Sequence, residues 1–326
     1  MVKKSFYHFN KLPPTGWIGL FTFAVATTFL IRHQEPFYTW FYCFAWWSYI
    51  LVIDAMNRVL EGESLLIDYP ADFAFLAFAS VGVWLIFEMF NIALSNWHYV
   101  QLPANRPLRW AGYFIAYATV LPGLFETASF LKYIGVLKRW EHGRLFITPG
   151  HWRLWFFITG LFFLLVPVIW PGYFFPLVWL GFFFLLEPAN YTYGGYSFIK
   201  LGEVGDWREL GLLLLAGGVC GFLWELWNFW AGSKWIYTVP WIGSWKLFEM
   251  PILGFLGFSS FAVESYVIMS TIFLVRDGFS GEKKGKKSSA QISRVIICVS
   301  LVLVFLLIYA FAFALIDKYT VISFRK

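Results

Sequence analysis

Apolar residues run through this chain in blocks of about 20, the length at which an α-helix crosses a bilayer, with polar residues gathered in short stretches between them. The pattern predicts nine helices, over about 16–33, 37–60, 71–95, 110–131, 152–170, 171–190, 208–231, 249–275 and 291–316. The fifth and sixth meet at Trp170-Pro171-Gly172-Tyr173, where Pro and Gly predict a tight reversal. Residues 277–290, rich in Gly, Ser and Lys, predict a flexible linker to a separable ninth helix. The fold class is therefore all-α, a polytopic transmembrane helical bundle. The blocks are apolar all round, so periodicity does not say which face turns inward.

Composition agrees. Hydrophobic residues make up 60% of the 326, charged residues 13% and aromatic residues 23%, which excludes a soluble domain. The net charge of +6 does not point to nucleic acid, because the basic residues lie in loops between apolar blocks. With loops assigned alternately to two sides, the side of the N-terminus receives 17 of the 25 Lys and Arg. The positive-inside rule then predicts an N-terminus in the cytoplasm and a C-terminus outside; the expected location is a bacterial inner membrane. Membrane lipids are its immediate partners, and the Lys run at 283–287 is expected to meet anionic headgroups. The basic N-terminus precedes a long apolar block without a small-residue cleavage site, so a retained first helix is expected.

Cys43, Cys220 and Cys298 lie in separate apolar blocks without CxxC spacing, which reads as buried thiols. The five histidines form no metal or haem pattern, and no nucleophile elbow, P-loop or dinucleotide fingerprint is present. No metal or cofactor is expected.

The informative feature is an internal echo. "FEMFNIALSNWHYVQLP" from Phe87 returns as "WELWNFWAGSKWIYTVP" from Trp224. Glu88 matches Glu225 and Asn91 matches Asn228 at 137 positions, while Trp97 and Tyr99 match Trp235 and Tyr237 at 138. Glu126 matches Glu264 at 138, and Asp54 and Asn57 match Glu187 and Asn190 at 133. Rare polar residues in matched order on three successive helices predict two parallel four-helix repeats, residues 1–150 and 151–276, plus a terminal helix at 291–326.

Within each repeat an acid and an Asn lie three apart twice, a spacing that sets both on one helix face where the amide reaches the carboxyl. An acid inside a bilayer is neutral, paired or facing a wet cavity, and no Lys or Arg in mid-span is available to these six. Glu88 and Glu225 are the candidate catalytic acids of an outer layer, with Asn91, Asn228, Trp97, Tyr99, Trp235, Tyr237 and Glu249 as candidate binding residues. Asp54, Asn57, Glu126, Glu187, Asn190 and Glu264 form a candidate inner relay. The plainer readings are acids snorkelling to headgroup water, and Asn or Glu serving only to join helices. Glu249, just before Pro251, is expected to cap the eighth helix.

"WELWNFWAGSKWIYTVP" followed by "KLFEMPILGFLGF" resembles, over about a tenth of the chain, the integral-membrane carotenoid (lycopene) cyclases and hydratases. The resemblance implies proton-driven chemistry on a polyene by membrane acids without a redox cofactor, and carries over only Glu225, Trp235, Tyr237, Glu249 and, through the repeat, Glu88. The paired acids that follow the Pro in that family are absent, since Pro251 precedes Ile-Leu-Gly. The chain as a whole is similar to bacterial polytopic membrane proteins of unassigned function. Three functions follow as expectations: binding or acid–base modification of a lipid or isoprenoid, proton- or cation-coupled transport, and a structural subunit joined to membrane-complex partners or to its own copies.

Overall fold

The computed structural model of the chain describes residues 12–146, 148, 150–240, 245–280 and 289–323, with backbone alone for 277–280 and 289–299. It is an all-α helical bundle. The long helices are α1 (Pro14–Ile31), α2 (Phe37–Glu61), α4 (Pro70–Leu94), α5 (Arg106–Tyr117), α6 (Val120–Tyr133), α7 (Trp152–Ile169), α9 (Val178–Tyr193), α11 (Arg208–Trp230), α12 (Phe255–Ser280) and α13 (Ser289–Tyr319). Between them lie the short α3 (Leu65–Asp68), α8 (Pro171–Phe174) and α10 (Phe198–Glu203), and the strands β1 (Trp97–Val100), β2 (Lys234–Tyr237), β3 (Lys246–Leu247) and β4 (Met250–Pro251). Among the described residues eight helical segments, α5 and α6 together forming one, are long and apolar enough to cross a membrane. They correspond to all the predicted blocks except the second, which α2 occupies with Asp54 and Arg58 in its last turns.

Four predicted boundaries are corrected. The fourth block is broken at Ala118–Thr119, where Pro122 has no N–H for the Ala118 carbonyl four residues back. Ser80 of α4 staples the break, its hydroxyl donating to the Tyr117 carbonyl (2.6 Å) and accepting from the Leu121 N–H (3.0 Å). The reversal after the fifth block is an elbow of α8 and a 3-10 turn, Phe175–Leu177, because Pro176 interrupts a regular helix start. The eighth block opens as the β3–β4 hairpin, and α12 begins only at Phe255. Finally, α12 runs to Ser280 and α13 starts at Ser289, so helix occupies both edges of the expected linker, whose middle lies outside the described residues.

In the N-terminal half α1 packs on α2, α2 on α6, and α4 on α6; in the C-terminal half α7 packs on α9, α9 on α12, and α11 on α12. The halves join along α6 and α11 and through one antiparallel ribbon, β1 with β2. A buried aromatic core that includes Trp46, Phe87, Trp97, Trp224, Trp227 and Phe261 runs between them. Helix α13 lies on α4 and α5, so the ninth helix packs on its own chain. Its end continues the ribbon, with Tyr99 N–H donating to Thr320 O (2.9 Å) and Ile322 N–H to Tyr99 O (3.0 Å).

Candidate functional site

All six predicted acids are buried in protein: Asp54, Glu88, Glu187, Glu225 and Glu264 are 0% exposed and Glu126 is 5% exposed. None takes part in an ion pair among the described residues. Burial of this kind excludes snorkelling, since the carboxyl groups point into helix contacts. The expected bonding between acid and Asn three apart is overturned. Each member bonds groups outside its own helix, and Glu88 also accepts from Trp84 one turn earlier on α4.

At the ribbon, Glu88 Oε1 accepts from Trp84 Nε1 (2.9 Å), Trp97 Nε1 (3.1 Å) and the Tyr99 hydroxyl (2.5 Å), and Tyr117 donates to the Tyr99 oxygen (3.0 Å). In the other half Glu225 Oε1 accepts from the Tyr237 hydroxyl (2.8 Å), with the Trp235 indole beside it. Both carboxyl groups leave a buried Oε2 without a partner. Burial first, and then the adjoining carboxyl, hold the Tyr99 and Tyr237 hydroxyls well above the usual phenol range, so both stay protonated donors.

Asn91 and Asn228 tether the ribbon. Asn91 Oδ1 accepts from the Asn96 and Trp97 N–H groups and its Nδ2 donates to Trp97 O (2.8 Å). Asn228 does the same for Trp235, with 2.9 Å to both its N–H and its carbonyl. A side-chain amide that pairs with both backbone groups of one residue acts as an extra strand edge and sets where each strand starts. Glu249 is also corrected: it sits in the β3–β4 turn, remote from the first turn of α12, and forms an ion pair with Lys234 (2.7 Å).

Two narrow cavities lie beneath the ribbon, about 90 and 70 Å³ in volume. Tyr99, Tyr237, Trp235, Trp84 and Phe258 line both. Cavity 1 is completed by α2 and α5, through residues such as Tyr42, Tyr113, Ala116 and Tyr117. Cavity 2 is completed by the elbow, α9 and the start of the α12 segment, through Phe175, Trp179, Pro251 and Gly254. Glu88 and Glu225 line neither; the tyrosines they hold do.

The inner acids are less alike than predicted. Asp54 accepts from the Ser64 hydroxyl (2.6 Å) and the Leu66 N–H (3.1 Å), and Glu187 accepts from the Ser197 hydroxyl (2.6 Å) and the Ile199 N–H (2.8 Å). Each thus secures the start of a short helix, α3 or α10, whose N-cap is that same serine. Asn57 donates to Glu126 Oε2 (2.6 Å), whereas Asn190 donates to the Val267 carbonyl (3.0 Å) and Glu264 accepts from the Phe182 N–H (2.5 Å). The inner layer is therefore split into local contacts and does not form a connected chain of acids.

Sequence reading missed the Arg109–Asp317 pair that binds α13 to α5. Arg109 Nε and Nη2 grip the two carboxylate oxygens at 2.7 and 2.8 Å, and Trp110 and Tyr113 donate to the same group at 2.9 Å. The available signal was a lone acid closing one apolar block and a basic residue opening another on the same side. Ser64 and Ser197 were missed too, although they are separated by the same 133 positions as Asp54 and Glu187.

The fold and the buried aromatic site define a polytopic helical membrane protein. No protein-family model, curated protein or solved structure matches the chain.

Proposed function

We propose that the chain is a duplicated protein of the bacterial cytoplasmic membrane that binds a lipid or isoprenoid-type apolar molecule in two related cavities. Tyr99 and Tyr237 present their hydroxyl oxygens to both cavities, and Glu88 and Glu225 hold those hydroxyls in place. The duplication is supported by the register of the ribbon. Trp97 pairs with Tyr237 and Tyr99 with Trp235, so each Trp faces the other half's Tyr. His98 pairs with Ile236, its own counterpart at 138 positions. Such pairing is what a twofold axis through the middle of the ribbon produces. The Lys and Arg count keeps the N-terminus cytoplasmic and the ribbon outside.

The observation that carries the functional reading is that the cavities follow the same relation. Tyr42 of cavity 1 corresponds to Phe175 of cavity 2, Tyr113 to Pro251, Ala116 to Gly254, and the shared tyrosines exchange places. Aromatic-walled clefts with a few convergent hydroxyls are how proteins hold apolar small molecules. Transport is less well supported, because Asp54 and Glu187 are committed to helix starts and offer no second station.

The test is solvent extraction and mass spectrometry of the pure protein beside Ala116→Leu and Gly257→Leu, which fill cavity 1 and cavity 2. A Cβ on Gly257 meets nothing closer than Trp179 at 3.8 Å, so the second change is sterically tolerated. A defined apolar compound at near-stoichiometric yield, reduced in each filled variant, is expected. Extracts containing only bulk phospholipid, alike in all three proteins, would sink the reading.

A further inference from the structure

Resting on that reading, we propose that the bound molecule is electrically neutral, with a polar end no stronger than a hydroxyl. The argument is a census of charge around the cavities. Only two charged side chains reach the lining of cavity 1, Arg109 and Lys234, and both are already neutralised.

Arg109 holds Asp317 through Nε and Nη2, and its Nη1 donates to the carbonyls of Pro103 (2.7 Å) and Ala104 (3.0 Å). Lys234 Nζ donates to Glu249 at 2.7 Å and rests over the Phe229 ring at 5.2 Å. Cavity 2 has no charged residue in its described lining. Glu88 and Glu225 stand behind Tyr99 and Tyr237, outside both linings.

An anionic head entering either space sheds its water and meets no free counter-charge, unless it displaces Asp317 or Glu249 from its partner. A cationic head gains ring faces, but it meets Arg109 and Lys234 in cavity 1 and no carboxylate in cavity 2. The polar atoms that do line the spaces are neutral: the hydroxyls of Thr39, Tyr113, Tyr117 and Ser233, and the Asn96 amide. The four hydroxyls donate their protons to Glu35, Asp317, Tyr99 and Gln101, so their oxygens are left to accept from a ligand hydroxyl.

The test uses one hydrocarbon chain with three heads: geranylgeraniol, geranylgeranyl diphosphate and geranylgeranylamine. Binding to the full-length protein in nanodiscs is followed by its tryptophan emission, since Trp40, Trp84, Trp97, Trp179, Trp224 and Trp235 all line the cavities. Ala116→Leu and Gly257→Leu separate cavity binding from partition into lipid. Saturable binding of the alcohol is expected, with both charged analogues weaker by about tenfold or more, the factor that corresponds to about 1.4 kcal/mol. Glu249→Gln, a partly exposed turn position, releases Lys234 and is expected to narrow the gap for the diphosphate while leaving the alcohol unchanged.

Equal or tighter binding of the diphosphate or the amine by the unmodified protein overturns neutrality and leaves the apolar cavities standing. Saturable binding of none of the three, in protein that melts normally, overturns the cavities as a binding site and the present proposal with them.

Discussion

Around Glu88 the carboxyl oxygen collects Trp84, Trp97 and Tyr99, and Tyr117 backs the Tyr99 hydroxyl. Around Glu225 the matching Trp and Tyr remain, but the counterpart of Trp84 is Gly221 and the counterpart of Tyr117 is Phe255. The glycine is needed: a Cβ there would lie 2.3 Å from the Phe258 ring, which fills the room an indole takes in the other half. The N-terminal half also has the Arg109–Asp317 clamp, whereas Leu247 stands at the counterpart of Arg109. The acid, Asn, Trp and Tyr that build the ribbon are thus the same in both halves, and the side chains that only furnish each cavity differ. Cavity 1 adds the hydroxyls of Thr39, Tyr113, Tyr117 and Ser233 to the shared tyrosines and is tied to the terminal helix through Arg109, whereas cavity 2 adds the Asn96 amide.

The clamp is where the halves should part most. Asp317→Asn weakens a charge pair whose side chains are only 8% and 15% exposed, and a loss of about 3 kcal/mol is expected. It should be seen as a lower melting temperature and as earlier proteolytic release of α13. Unchanged melting would mean that the clamp does not distinguish the halves.

Next come the acids themselves. Glu88→Ala strands three buried donors, for a loss of about 3 kcal/mol, and Glu225→Ala strands fewer, for about 1 kcal/mol less. Chemical denaturation in detergent measures both, and equal losses would show that Trp84 adds nothing. Asn91→Ala and Asn228→Ala should cost about 2 kcal/mol each, since each orphans the N–H and carbonyl of one Trp, and a marked difference between them would break the equivalence of the strands. The smallest effect is expected of Tyr117→Phe, about 1 kcal/mol, because it reproduces the Phe255 of the other half and removes one hydroxyl contact.

The long helices were legible because bilayer-length apolar blocks are long-range averages that single residues do not upset. Local breaks were not. Pro122 and Pro176 lie inside apolar stretches, and whether a proline ends a helix depends on partners such as Ser80, which sits on another helix. The ribbon was legible only as two matching Trp-x-Tyr stretches, since nothing local says that two short segments 138 positions apart will pair. The acids stand out because they are rare, but spacing along one helix does not say which contacts between helices they make. Asn91 was read as a partner for Glu88 and instead anchors Trp97. Glu249 was read as a helix cap and instead neutralises Lys234.

The pairing of β1 with β2 also bears on how the chain is assembled. Among the described residues the contacts between the two sides of the α6–α7 connection are non-covalent, among them the ribbon, the α6–α11 seam, the packing of α13 on α4 and α5 with its Arg109–Asp317 clamp, and loop contacts such as Arg208 with Glu141. The peptide backbone between α6 and α7 contributes only tethering. Cut near Gly150 and co-expressed as two polypeptides, the protein is expected to reassemble and co-purify as a noncovalent heterodimer, with each fragment supplying one edge of a site that neither encloses alone.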